Sequence, residues 1–483
     1  MTIFSSLWRR HVLLRLLFLC LFSWLFTSSI QAQDMTSDSV ITTVLKAGLP
    51  VLRIETIGHE EPTCDYVSAP EGCWGKSIVN ATKVPGRIQL IDSTGILYDS
   101  GNYMKDDSGM TIRIRGNTSA YHPKKPYKIK LQRKADLLLR DEDRYRDKEW
   151  VLLQDLRLNT LVGNTVSRLM GMDYTPASMH VNVVFNGEYR GLYVLSETVK
   201  RNKDCRINVD AESGFIAELD AYWWKEDDHI ECSFDQWPLE YTFEYPDADE
   251  ITPEQKERMA QCLTDMEQSM RDGSYPSHID VESFARWLLA QEVLGNADAG
   301  GSNVFVCKYD SAESSFVFMP VLWDFDNIRR EESWSDIHNI HYFVTLLDSP
   351  NEAFRDAYIR MWEERGDSVF DGLISAIRQF ESSTEGAAFD QSLLLDRERW
   401  QYNYIEPLTL HEIAETAIDY FSHRREWLND AIKWMKVTIS IHDIPEERTD
   451  KSDSRILDLS GRLLSTMPSH GISIMNGKKY MRK

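Results

Sequence analysis

Four oxygen-bearing side chains lie within one stretch of this chain: Asp298, Asn303, Asp324 and Asp326. Asp298 opens a glycine-containing loop, and Asn303 closes it five residues later. An apolar run from Val304 to Tyr309, a polar turn from Asp310 to Ser315 and a second apolar run from Phe316 to Leu322 read as a hairpin. The hairpin returns the chain to Trp323-Asp324-Phe325-Asp326. Such an order suits phosphoryl transfer from ATP. One carboxylate orients the attacking hydroxyl and accepts its proton, while a second carboxylate and an amide oxygen hold Mg2+ on the phosphates. Mg2+ takes hard oxygen ligands and keeps few protein contacts, so one Asp and one Asn suffice. The D-x4-N spacing is that of a protein-kinase catalytic loop. The same residues would also serve as Asx turns and strand-end caps, and spacing alone leaves both readings open.

A bound polyphosphate also needs cations. Lys128 and Lys130 share the face opposite Tyr127, Ile129 and Leu131, and Lys128 is the favoured phosphate ligand. Arg115, beside the Gly116-Asn117 turn, and Lys125 are the alternates. Solvated strand-face lysines would give the same pattern. The chain has no H-E-x-x-H, G-x-S-x-G or Walker loop. The 14 Trp and many carboxylates raise glycoside hydrolysis as a rival, but no spacing of paired acids favours it.

The elements around these residues fall into two halves. From Gly48 to Leu131, period-two alternation at Val51–Thr56, Arg87–Asp92, Ile112–Arg115 and Tyr127–Leu131 predicts an antiparallel sheet with one buried face. A helix is predicted over Leu158–Met170. A hairpin pairs Val181–Phe185 with Tyr189–Leu195 around Asn186-Gly187. Thr252-Pro253-Glu254-Gln255 is a capping box that starts a helix ending at Gly273. A second helix runs from Asp280 to Gly295 and delivers the chain to Asp298, and residues 352–435 are mainly helical.

Three blocks together resemble the spore-coat-protein-H (CotH) kinase family. They are Arg113-Ile114-Arg115-Gly116-Asn117 with Pro123 to Leu131; Trp150 to Leu153 with Val181 to Tyr193 and Glu197; and Asn296 to Asn303 with Trp323 to Asp326. The resemblance implies an α+β, atypical protein-kinase-like two-lobed fold, with a strand-rich N-lobe and a helical C-lobe. It implies ATP and Mg2+ as cofactors and phosphorylation of Ser/Thr hydroxyls of exported proteins. By motif, Asp298 matches the catalytic carboxylate, and Asn303 and Asp324 match the metal ligands, with Asp326 beside them. Glu197 matches an acidic position that pairs with a phosphate-binding lysine or lies at the nucleotide edge. Glu218 and Asp220 match a pattern of unassigned role. Relatives often carry Arg-Asn where this chain reads Gly163-Asn164. That departure keeps a pseudokinase, acting as a surface binding or scaffold protein, as the alternative.

Residues 1–32 read as a signal peptide: Arg9 and Arg10, an apolar run to Phe26, then small residues to Ala32. No later stretch is long and apolar enough to span a bilayer, so the chain is expected to be exported to the periplasm, cell surface or medium. The net charge is −22, and the leader carries three Arg and no acid, so its removal makes the chain more acidic. That field opposes nucleic acid and anionic lipid. It also makes ATP binding depend on local cations and a metal. Six cysteines follow the leader, with Cys64–Cys73 the best disulfide candidate and Cys205–Cys232 a weaker one. The kinase-like domain is placed at 46–436 and a charged linker at 437–454. The tail at 455–483 resembles the type IX secretion sorting segments of Bacteroidetes exported proteins; a small terminal hairpin is the other reading.

Overall fold

The computed structural model describes residues 37–234, 239–300, 302–328, 341–401 and 408–442, and short strands within the tail. The side chains of Ala297, Asp298 and His341, and those from residue 437 onward, lie outside the described residues, as does the expected leader. Two compact units are present, 1–430 and 431–483.

In the first unit, helix α1 (Ser37–Val44) precedes ten strands interrupted by one helix. The strands are β1 (Val51–Thr56), β2 (Asp65–Ser68), β3 (Lys76–Val79), β4 (Val84–Asp92), β5 (Gly95–Asp99), β6 (Met110–Ile114), β7 (Tyr127–Ala135), β8 (Asp147–Leu153), β9 (Ser178–Phe185) and β10 (Glu188–Glu197). The helix, α2 (Asn159–Met170), lies between β8 and β9.

Seven of these strands close into a barrel in the order β1-β9-β10-β8-β7-β6-β4, with β4 pairing back to β1 and β5 added outside the ring on β4. The expected strand-rich N-terminal half is present, but as a closed barrel rather than the antiparallel sheet of a kinase-like N-lobe. Alternating directions close only around an even number of strands, so a seven-membered ring needs a parallel pair. That pair is β1–β9, with Val51 opposite Asn182; the other six pairings are antiparallel.

The alternation read from sequence is the barrel's inside and outside. Leu52, Ile54, Ile88, Leu90, Ile112, Ile129, Trp150 and Val183 fill the interior with almost no exposure. A closed interior removes sheet edges, and its apolar filling is the main stabilising term. The β9–β10 hairpin turns at Asn186 and Gly187 with φ of 50° and 83°, the left-handed pair that an Asn-Gly turn supplies.

A second, four-stranded sheet runs β12-β11-β13-β14, with β11 (Phe215–Asp220), β12 (Glu240–Tyr245), β13 (Val304–Lys308) and β14 (Val317–Phe318). It packs on the barrel's outer face, where Val151 of β8 meets Phe305, Cys307, Val321 and Trp323. Helices α3 (Pro253–Asp272), α4 (Val281–Leu294), α5 (His341–Leu347), α6 (Ala353–Glu381), α7 (Thr384–Trp400) and α8 (Leu410–His442) complete the helical half. Thr252 and Gln255 form both arms of the capping box that starts α3, as the sequence predicts. Helix α8 continues past residue 437, where the linker was placed.

A buried ion pair locks α7 to the barrel. Lys124 Nζ lies 2.6 Å from Asp396 Oδ1, with side-chain exposures of 1% and 0%. Lys124 also donates to the carbonyl of Leu192, whose N–H donates to Asp396 at 2.8 Å.

The six described cysteines are free, so the expected Cys64–Cys73 and Cys205–Cys232 disulfides are absent. In the second unit, β15 (Ile456–Leu457), β16 (Leu463–Leu464), β17 (Gly471–Met475) and β18 (Lys478–Arg482) form an antiparallel sheet ordered β16-β15-β17-β18. Among the described residues no helix is long and apolar enough to cross a membrane.

Candidate active site

The site lies between the barrel's outer face and the second sheet. Helix α4 is capped by Asp280 and ends at Gly295, whose φ of 57° turns the chain out of the helix. A buried pair holds this helix, because Arg424 of α8 donates to Glu292 Oε2 at 2.8 Å and to the Glu292 carbonyl at 2.8 Å. Next comes Asn296, fully buried, whose Nδ2 donates to the Asp324 carbonyl at 2.9 Å. A backbone bridge between Asn296 and Ile328 completes the clasp. The loop carrying Asp298 and the turn carrying Asp324 and Asp326 are thereby joined at their roots. Asp298 sits in a short 3-10 turn, Ala297–Gly300.

Asn303 and Asp324 both adopt left-handed backbone, with φ of 68° and 59°. Asn and Asp tolerate this region better than other non-glycine residues, and such outliers gather where function demands a side-chain direction. Glu218 of β11 fixes the first of them by accepting the Asn303 N–H at 2.9 Å. Ser302 is held beside it, donating to Asp220 Oδ1 at 2.7 Å and accepting from the Ala221 N–H at 3.1 Å. Between the two acids of the second turn, Phe325 is buried and rests against α2. Asn159 of α2 reaches the Asp326 carbonyl at 3.4 Å.

Arg115, just past β6, links the two halves of the site. Burial lowers its guanidinium's pKa, and the carboxylates of Asp324, Asp326 and Glu218 act against that. Its guanidinium carbon lies 6.0 Å from the Trp323 ring centroid. Burial pushes Glu218 well above the usual carboxylate range, and the neighbouring charges of Asp220 and Glu244 add to it. Glu244 is raised to about 7 by burial and by Asp247, Asp220 and Glu149, with Lys128 opposing. Among the described residues, the upward shifts of Glu218 and Glu244 mark a concentration of carboxylates, which suits a place that receives a cation.

Lys128 lies on the outer face of β7 at the edge of this cluster. Its Nζ is 2.9 Å from Glu149 Oε2 on β8, and Lys130 and Lys200 reach the same carboxylate at 3.5 and 3.8 Å. Burial alone would raise Glu149, but Lys128, Lys200 and Lys130 hold it at about 2. A lysine held in place by an ion pair with a glutamate is suited to meeting a phosphate.

The structure therefore brings Asn303, Asp324, Asp326, Arg115 and Lys128 into one region, although only the backbone of Asp298 is described there. Lys125 and Glu197 are engaged with other groups. Lys125 Nζ donates to Tyr66 Oη and the Ala120 carbonyl, both at 2.7 Å. Glu197 is buried on β10, accepting from Arg140 at 2.8 Å, Tyr174 Oη at 3.1 Å and the Ala177 N–H at 2.9 Å. Its partner Tyr174 donates its N–H to the Pro320 carbonyl at 2.9 Å, so Glu197 braces the strand leading to Trp323.

Sequence reasoning gave no role to Glu218, Glu149, Glu244 or Asn296. The Glu218-x-Asp220 spacing, two acids on one face of an apolar strand, was the available signal for the first. Asn296 stood at the start of the third resemblance block, but its clasp on Asp324, 28 residues away, was not legible there.

The donor set fits a hard divalent cation: it is all oxygen, partly buried and excess in negative charge. No curated protein sequence matches the chain. A family model described as CotH kinase protein matches residues 112–428, well over half of the 483 residues. The match takes in β6 through most of α8 and every site residue discussed above. This chain belongs to the CotH kinase protein family.

Proposed function

We propose that this chain is an exported ATP- and Mg2+-dependent kinase that phosphorylates Ser or Thr hydroxyls of exported proteins. The observation that carries the reading is the shared anchoring of the Asp298–Asn303 loop and the Asp324–Asp326 turn through Asn296, with Arg115 within electrostatic reach of Asp324, Asp326 and Glu218. Family membership supports kinase-like chemistry.

In this reading Asp298 orients the acceptor hydroxyl and takes its proton. Asn303 and Asp324 would hold Mg2+, and Asp326 lies beside them. The ion would neutralise charge on the transferred phosphate. Lys128 binds phosphate oxygens while its ion pair with Glu149 positions it, and Arg115 balances the acids when the nucleotide is away. The leader-like N-terminus and the sorting-like tail support export, to the periplasm, surface or medium.

The test is transfer of label from γ-labelled ATP to exported proteins of the same cell. The wild-type chain should label them in a Mg2+-dependent way, and Asp298→Asn should lower labelling by at least about 100-fold, the lower end of what a general base contributes. Equal labelling by both forms would remove Asp298 from the chemistry. A second reading, a pseudokinase, draws on Gly163 standing where relatives often carry Arg. It predicts no labelling by either form.

A further inference from the structure

Away from the candidate active site, the end of α6 meets the start of α8. Glu381 is the last residue of α6, and His411 and Glu415 lie one turn apart on α8. His411 Nδ1 is 2.6 Å from Glu381 Oε1. One ligand atom from each of Glu381, His411 and Glu415 lies within 4.8 Å of the other two. Four-coordinate zinc with bonds of about 2.0–2.1 Å sets its ligand atoms roughly 3.3 Å apart, so small rotamer changes would close the set. One imidazole with two carboxylates leaves one position for water and suits Zn2+ better than Mg2+, which disfavours nitrogen.

The surroundings favour a cation here. The negative end of the α6 dipole, at its C-terminus, faces the triad. Glu412 adds charge nearby. The opposing group is Arg378, whose Nη1 lies 3.2 Å from Glu415 Oε1. A carboxylate has two oxygens, so Glu415 can keep that contact with one and ligate with the other.

We propose that Glu381, His411 and Glu415 form a zinc site that clips α6 to α8. Its two sides are 30 residues apart in sequence. The chain between them includes α7, which carries Asp396 to its buried partner Lys124 on the barrel. A metal joining both ends of that excursion reduces the conformational freedom of the free chain and steadies the helix that anchors the barrel.

The test is calorimetric titration of chelator-treated full-length protein with Zn2+, in excess Mg2+ to occupy other oxygen sites. The wild-type chain should bind one equivalent with a dissociation constant at or below roughly 10 µM. His411→Asn and Glu381→Gln should each weaken that event at least about 10-fold. Arg378→Gln should tighten it by releasing Glu415. His411 and Arg378 are exposed and Glu381 is partly exposed, so melting in chelator should stay close to wild type in all three variants. Absence of the binding event in the wild type, or its survival in His411→Asn, would overturn the proposal.

Discussion

Gly163, in the middle of α2, lies against the ring of Phe325, and a Cβ there would overlap the ring at its Cγ, Cδ1 and Cε1. This glycine is therefore the seat of the aromatic peg between Asp324 and Asp326. A side chain at 163 and the observed Phe325 position exclude each other.

Gly163→Ala tests this contact. In a helix interior the change alone gains about 1 kcal/mol. Overpacking costs about 1–3 kcal/mol, and here the whole ring must move because the clash includes its root carbon. The expected net result is a loss of up to about 2 kcal/mol in urea denaturation, together with weaker Mg2+-dependent nucleotide binding. A gain in stability would mean that the ring is not seated as described.

Asp396→Ala removes one half of a buried pair and leaves the Lys124 ammonium without its counter-charge. The expected loss is about 3–5 kcal/mol in denaturant unfolding. Lys124→Met combined with Asp396→Leu should recover most of it. Recovery stays incomplete because the Leu192 N–H and carbonyl also lose their partners. A single variant within about 0.5 kcal/mol of wild type would contradict the burial of the pair.

Glu149 makes a pH prediction. Its carboxyl is held at about 2 against an ordinary 4.5, by Lys128, Lys200 and Lys130 acting against burial, with Glu244 nearby. A depressed acid contributes stability that is complete above its unfolded value and lost as pH falls through its folded one. Wild type should therefore exceed Glu149→Gln by up to about 3 kcal/mol at pH 6. The gap should shrink between about pH 4.5 and 2. A gap that is constant over that range would assign the effect to packing rather than charge.

Much of the fold could be read from local pattern. The Asn186-Gly187 hairpin, the Thr252 capping box, the helix ending at Gly295 and the alternation of β1, β4, β6 and β7 all depend on neighbours in sequence. Barrel closure could not be read this way, since the β1–β4 and β1–β9 pairings depend on register between distant strands. The same division runs through the site. The Asp298-x4-Asn303 spacing is local, whereas the clasp of Asn296 on Asp324 and the hold of Glu218 on Asn303 span 28 and 85 residues. Strand alternation placed Lys128 on the outer barrel face. The partners of Glu197, Arg140 and Tyr174, lie 57 and 23 residues away and could not be read from its neighbours in sequence.

The central claim is that side-chain oxygens of Asn303 and Asp324 hold one divalent ion with the nucleotide. Paramagnetic resonance of Mn2+, titrated into the protein with a non-hydrolysable ATP analogue, reads that ion directly. The wild-type chain should bind one nucleotide-dependent Mn2+, and Asp324→Asn and Asn303→Ala should each weaken it by about 10-fold or more. Unchanged Mn2+ binding in both variants would contradict the account.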